Sequence, residues 1–166
     1  MTARVAVVGS DAALPDYVEA MAERIGSDIA KNGCILVCGG RGGVMAAACR
    51  GAKKSGGLTV GILPSLDGAD ANKYLDVKVT TGLGYARNSI VVASSDVVIA
   101  ICGSTGTLSE IGMALNFGRP VVVVEGSGGV AGKVKSAFTE DERIMGITEA
   151  KPEDAVASAL KLIKLY

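Results

Sequence analysis

Short β-branched runs alternate along the chain with longer segments whose apolar residues step by three and four. RVAVVG (Arg4–Gly9) predicts a buried strand. From Pro15, the residues Val18, Met21, Ile25 and Ile29 predict a helix with one apolar stripe. Asn32-Gly33 ends it, because glycine accepts the left-handed conformation that closes a helix. CILVC (Cys34–Cys38) predicts the second strand, VMAAACRGAKK a helix stopped by Gly56-Gly57, and LTVGILP the third strand. Ser65 to Tyr74 is polar and reads as a loop, and VKVTT (Val77–Thr81) as a short strand. Gly84 to Ser95 carries β-branched residues, but its length and the strand that follows favour a helix. DVVIAI predicts a strand, TLSEIGMALNFG a helix with Leu108, Ile111 and Leu115 on one face, and PVVVV (Pro120–Val124) the last clear strand. GSGGVAG reads as a mobile loop, and Lys133 to Ile147 as a mixed segment ending in a short strand. Pro152 opens a closing helix with Val156, Leu160 and Ile163 inward.

The predicted strands lack alternation of apolar and polar positions and are separated by helices. That pattern belongs to a parallel sheet covered on both faces. Right-handed crossovers then favour a doubly wound, mainly parallel α/β sheet. No repeat or linker divides the chain, so residues 1–166 are expected to form a single domain. In such a sheet the ligand sits beyond the carboxyl ends of the strands, where the strand order reverses.

Composition narrows the chemistry. The 17 basic and 17 acidic residues cancel and form no basic stripe, so nucleic acid is not an expected partner. No leader pattern and no apolar run of membrane-spanning length is present, which predicts a cytoplasmic protein with no membrane partner. Cys34, Cys38, Cys49 and Cys102 form no CxxC pair and read as reduced, mostly buried thiols. There is no histidine, which excludes Ser-His-Asp and Cys-His systems and nearly every catalytic zinc site; no metal site is expected. Proton transfer would fall to Asp, Glu, Lys, Tyr or Cys.

Three strand ends carry small residues: Gly9-Ser10, then Gly39-Gly40-Arg41-Gly42-Gly43, then Gly103-Ser104-Thr105-Gly106-Thr107. Glycines admit a ligand to the backbone, and free N–H groups at a helix start suit a phosphate. Three such loops on one sheet edge point to an anionic ligand. The P-loop pattern GxxxxGK[ST] is absent, and GGRGGVM lacks the third glycine of GxGxxG. GSGGVA fits GxGxxA but follows the last clear strand, so a dinucleotide oxidoreductase is not expected. Thr107-Leu-Ser-Glu110 has the spacing of a capping box, and on spacing alone the helix cap is the stronger reading of Glu110. Action on a ligand is the alternative, and the two roles are compatible. Arg87 stands alone as a charge between Gly82 and Ser95; facing inward it would need a carboxylate or phosphate partner. Arg41 reads as a loop-tip charge or a phosphate contact, and Asp96 as the close of a turn.

CGGRGGVM (Cys38–Met45) resembles the GGGxxGxM segment of the LOG-like proteins, and CGSTGTLSE (Cys102–Glu110) resembles their PGGxGTxxE. VAVVGS and the order of elements fit as well, so the likeness covers nearly the whole chain. GLGYARN and PVVVVEGSGG are most similar to the short branch that includes molybdenum-cofactor carrier proteins. The resemblance implies a Rossmann-like domain, a homodimer or higher homo-oligomer, and a small phosphorylated ligand. It implies no required cofactor; a nucleotide or the molybdenum cofactor would be the ligand. Cytokinin-activating members hydrolyse the N-glycosidic bond of a nucleoside 5′-monophosphate with an Arg and the Glu of PGGxGTxxE, which fall on Arg87 and Glu110. The glycine loops, with Gly9, Ser10, Arg41 and Asn88, would hold the ligand. The family's lysine decarboxylase label implies no such activity, since nothing in the sequence resembles a pyridoxal phosphate site. Cys102 replaces the family's Pro, Ser104 its second Gly, and Asn88 the Lys usual in the hydrolases. The phosphate cradle is thus kept and the catalytic geometry altered, which suits a carrier first and a phosphoribohydrolase second.

Overall fold

The computed structural model describes residues 2–137 and 146–163. The strands are β1 (Arg4–Gly9), β2 (Ile35–Cys38), β3 (Thr59–Leu63), β4 (Val77–Thr80), β5 (Val97–Ile101), β6 (Val121–Val124) and β7 (Thr148–Ala150). The helices are α1 (Asp16–Lys31), α2 (Gly43–Lys54), α3 (Asn88–Ala93), α4 (Thr105–Asn116), α5 (Val134–Ala137) and α6 (Ala155–Ile163). A 3-10 turn, Gly84–Arg87, leads into α3. All seven strands pair in parallel, in the order β4-β3-β2-β1-β5-β6-β7. This is the expected doubly wound, Rossmann-like α/β sheet.

Its central strands are buried on both sides, which is why their sequence shows no alternation. Val5 and Val7 of β1 face a core shared with α1, α2 and α6. Ala6 and Val8 face the opposite core, with Val91 and Val92 of α3 and Ile111 and Ala114 of α4. Ile111 is fully buried. Its replacement by Ala would cost about 2–5 kcal/mol and loosen α4, the helix that begins at the site.

Several local expectations are corrected. The helix from TLSE begins at Thr105 rather than Thr107, so Leu108 turns out to solvent while Thr107, Glu110, Ile111 and Ala114 are buried. The segment from Gly84 is a 3-10 turn followed by a short helix. The GSGGVAG segment is tied down: Val130 N–H donates to the Gly103 carbonyl at 2.9 Å and Ala131 N–H to that of Cys102 at 3.0 Å. The closing helix starts at Ala155, and Pro152 lies in the turn before it. Val156 is buried there, while Leu160 and Ile163 are half-buried against the core. Most of the mixed segment from Lys133 to Ile147 lies outside the described residues.

Candidate ligand-binding site

The strand order reverses between β1 and β5, where Gly9 pairs with Ile101. The two chains leave that point in opposite directions and open a cleft of about 350 Å³. Among the residues expected from sequence, Gly9, Ser10, Arg41, Arg87, Asn88, Ser104, Thr105, Gly106, Thr107 and Glu110 line it. Gly39, Gly40, Gly42, Gly43 and Gly103 do not. Asp11, Met45, Tyr85 and Ser109 line it too and were missed. All four lie within two residues of flagged positions, and Met45 is the methionine of the GGGxxGxM-like segment, so closer attention to those neighbours would have found them.

The start of α4 forms one wall. Ser104 precedes the helix at φ −132° and ψ −147°, and no side chain among the described residues caps it. The first helical hydrogen bond runs from Leu108 N–H to the Ser104 carbonyl at 2.9 Å. The amides of Thr105, Gly106 and Thr107 therefore have no partner within the helix, and the helix dipole favours an anion beside them. Thr107 is the third helical residue, so the capping box with Glu110 does not form. Two successive left-handed residues, Cys102 (φ 54°) and Gly103 (φ 84°), turn the chain from β5 into this wall. Ser127 Oγ accepts the Cys102 N–H at 3.0 Å and fixes the turn.

The second glycine loop is built differently. Val44 N–H, at the start of α2, donates to the Ser10 carbonyl at 2.8 Å. A Cβ on Gly42 would stand 2.9 Å from the Asp11 carbonyl oxygen, and one on Gly43 would collide with those of Ser10 and Ala12. Asn72 binds the loop from the other side, donating from Nδ2 to the carbonyls of Gly40 at 3.1 Å and Arg41 at 3.0 Å. These glycines permit close packing of backbone on backbone. Arg41 reaches the cleft but is paired with Asp11 at 2.6 Å and Asp70 at 3.2 Å.

Arg87 and Glu110 form the buried floor, at 7% and 6% exposure. Arg87 Nη1 lies 3.7 Å from Glu110 Oε1 and donates a hydrogen bond to Asn88 Oδ1. Arg87 Nε has no hydrogen-bond partner among the described residues. The guanidinium rests against Gly39, where a Cβ would stand 2.6 Å from Nη2, so the residue between β2 and its loop makes room for the charge. Burial pushes the Glu110 carboxyl up to about 7, against the pull of Arg87. Near neutrality the pair is thus partly protonated and carries net positive charge. Among the described residues no cluster of three or more His, Cys, Asp or Glu is placed to hold a metal, and no helix is long and apolar enough to cross a membrane.

The profile of the SLOG cluster4 family matches residues 2–156. The chain belongs to that family. Among solved structures, this SLOG cluster4 chain is similar to the molybdenum cofactor binding protein of Rippkaea orientalis. Identity is 36%, coverage 98% of both chains, and the TM-score 0.87. It is also similar to the molybdenum cofactor carrier protein of Chlamydomonas reinhardtii, at 31% identity over the full length of both chains and a TM-score of 0.84. A cytokinin riboside 5′-monophosphate phosphoribohydrolase of Mycobacterium tuberculosis is 32% identical over 127 residues, covering 69% of this chain and 67% of that protein. The LOG-like resemblance read from CGGRGGVM and CGSTGTLSE, and the carrier-branch resemblance read from GLGYARN and PVVVVEGSGG, are thereby borne out.

Proposed function

We propose that the chain is a cytoplasmic binding or carrier protein for a small phosphorylated ligand with a planar heterocycle, a nucleotide or a molybdenum-cofactor-type pterin phosphate. Arg87 carries the reading. A guanidinium this deeply buried, with no partner for Nε among the described residues and a carboxyl beside it that burial pushes toward the protonated form, calls for an anion, and the cleft beside it is walled by the open amides of α4. The phosphate would sit on the amides of Thr105, Gly106 and Thr107. The ring would lie toward Tyr85, an aromatic side chain at the cleft that is 79% exposed. A cleft of about 350 Å³ suits one such ligand and is small for a dinucleotide. The carrier-type relatives are matched over their whole length, which supports the same reading. A homodimer forms part of this proposal, and light scattering tests it.

A second reading rests on Glu110. A buried carboxyl that titrates near 7 is suited to acid–base work at neutral pH. In a phosphoribohydrolase, water would add to the sugar C1′ as the C1′–N bond breaks. Ionised Glu110 would stabilise the oxocarbenium-like carbon or take a proton from the water, and that proton ends on the departing ring nitrogen, leaving neutral base and ribose 5-phosphate.

One experiment separates the two. The protein is incubated with AMP, GMP and N6-substituted AMP, free base is followed by chromatography, and ligand-induced melting shifts are recorded in parallel. The carrier reading expects melting shifts of several degrees without base release. Base release that disappears in Glu110→Gln would replace it with the hydrolase. Absence of both, for nucleotides and a pterin phosphate alike, would sink the ligand reading.

A further inference from the structure

Asn88 lies between the two charged groups of the site and the helix that forms its wall. Its side chain is buried at 3% exposure. Oδ1 accepts a hydrogen bond from Arg87 Nη1, while Nδ2 donates to Ser109 Oγ at 3.0 Å and reaches the Gly106 carbonyl at 3.4 Å. Ser109 donates in turn to that same carbonyl at 2.6 Å. The guanidinium is thus tied through one amide to the first turns of α4. Its Nη1 takes a neutral oxygen, and Glu110 Oε1 is left 3.7 Å away. Charge-assisted N–H···O bonds close to about 2.7–2.9 Å, and a buried Arg–carboxylate pair has every electrostatic reason to do so. Asn88 holds one of the two N–H groups of that Nη1 and, through its own ties to α4, fixes where the guanidinium lies.

We propose that Asn88 is a positioning residue: it anchors the Arg87 guanidinium to α4 and keeps it from closing on Glu110, leaving both groups unneutralised. The use of those groups on a phosphorylated ligand rests on the function proposed above, but the separation is a property of the unliganded protein and is tested there. The groups facing Glu110 are Arg87 and the Cys38 thiol at the end of β2, with Asp11, Arg41 and Tyr85 lining the same cleft.

Two variants push Glu110 in opposite directions. Asn88→Ala removes the tie to α4 and lets the guanidinium close on Oε1, which favours the ionised carboxylate. Asn88→Asp offers the guanidinium a stronger acceptor and places a second negative charge beside Glu110, which favours the protonated form. The measurement is a carboxyl ¹³C NMR titration of the unliganded full chain, with the Glu110 resonance assigned by its loss in Glu110→Gln. The Glu110 midpoint is expected to fall by at least one pH unit in Asn88→Ala and to stay level or rise in Asn88→Asp. An unmoved midpoint in Asn88→Ala, or a fall in Asn88→Asp, overturns the proposal; if the alanine variant does not fold, the aspartate variant decides. AMP binding by the wild-type chain is measured alongside. Failure to bind would count against the proposed function and leave the titration to judge Asn88.

Discussion

The loops before α2 and α4 look alike in sequence. Each follows a buried strand, each is rich in glycine, and each runs into a helix. In space they do opposite things. Before α2, carbonyl oxygens from Ser10, Asp11 and Ala12 lie over the helix start, and Val44 N–H is taken by one of them. Oxygens in that place take up a helix-start donor and repel an incoming anion. Before α4, the carbonyls of Gly103 and Cys102 are bound by Val130 and Ala131 respectively, and among the described residues no carbonyl accepts from the first amides of the helix. Glycine content therefore says where backbone comes close to something. What comes close is decided by where the neighbouring carbonyls go.

The largest effect that sharpens the contrast is expected at Arg87. Arg87→Ala removes the buried cation beside the open helix start. Titration calorimetry with AMP should show a loss of about 2–5 kcal/mol, or 30-fold and upward in Kd. Retained affinity would break the assignment of the α4 side as the anion site.

Next comes the pH dependence of Glu110. Its carboxyl is raised in the fold to about 7 from an ordinary 4.5. The native state therefore holds a proton that the unfolded chain has released between those values. The contribution is fully present below about pH 4.5 and is lost as pH rises through 7, a change of roughly 3 kcal/mol. The stability difference between wild type and Glu110→Gln, from urea unfolding at pH 4.5, 6 and 8, should shift toward the mutant by about that amount. A constant difference would contradict it.

A third effect contrasts the two loops directly. Gly43 has φ 54° and is hemmed in by backbone oxygens, whereas a Cβ on Gly106 meets nothing nearer than Asn88 Nδ2 at 4.0 Å. Gly43→Ala should cost about 2–4 kcal/mol of stability with little change in the affinity of the folded fraction. Gly106→Ala should leave stability within about 1 kcal/mol and weaken ligand binding, because its methyl enters the cleft. The reverse pattern would exchange the roles of the loops. The smallest effect belongs to Arg41, which is partly exposed and already paired twice. Arg41→Ala should lower stability by less than about 1 kcal/mol and AMP affinity only a few-fold, by the same two methods.

The strands and their order of appearance were legible because both faces of the sheet are covered, so each core strand reads as an unbroken apolar run. Arg87 was legible as a lone charge in an otherwise uncharged stretch, and the structure buries it beside Glu110. The role of the second glycine loop was not legible, since the oxygens that cover α2 come from residues 10 to 12, and no local pattern links them to Gly42 and Gly43. The capping box misled for a related reason. Thr107 and Glu110 have the right spacing, but the turn at Cys102 and Gly103 starts the helix two residues early and carries Glu110 inward. Asn88 was named among the ligand-holding residues through the family resemblance, and it does line the cleft. Its bonds to Gly106 and Ser109 depend on how α3 meets α4, which only the fold supplies.

The place of β1 in the sheet bears on how the molecule is made. It is synthesised before the other six strands of this sheet and is the central one in the finished sheet, flanked by β2 and β5. Asp96, which accepts the Arg4 N–H at the edge of β5, follows 92 residues later. At roughly 5–20 residues per second, one edge of an apolar strand stays unpaired for about 5–18 seconds of synthesis. Throughout that interval Gly9 and Ser10 have no opposite wall, so a nascent chain has no cleft for a ligand to rescue. Any ligand can stabilise this protein only after the second half of the sheet has arrived.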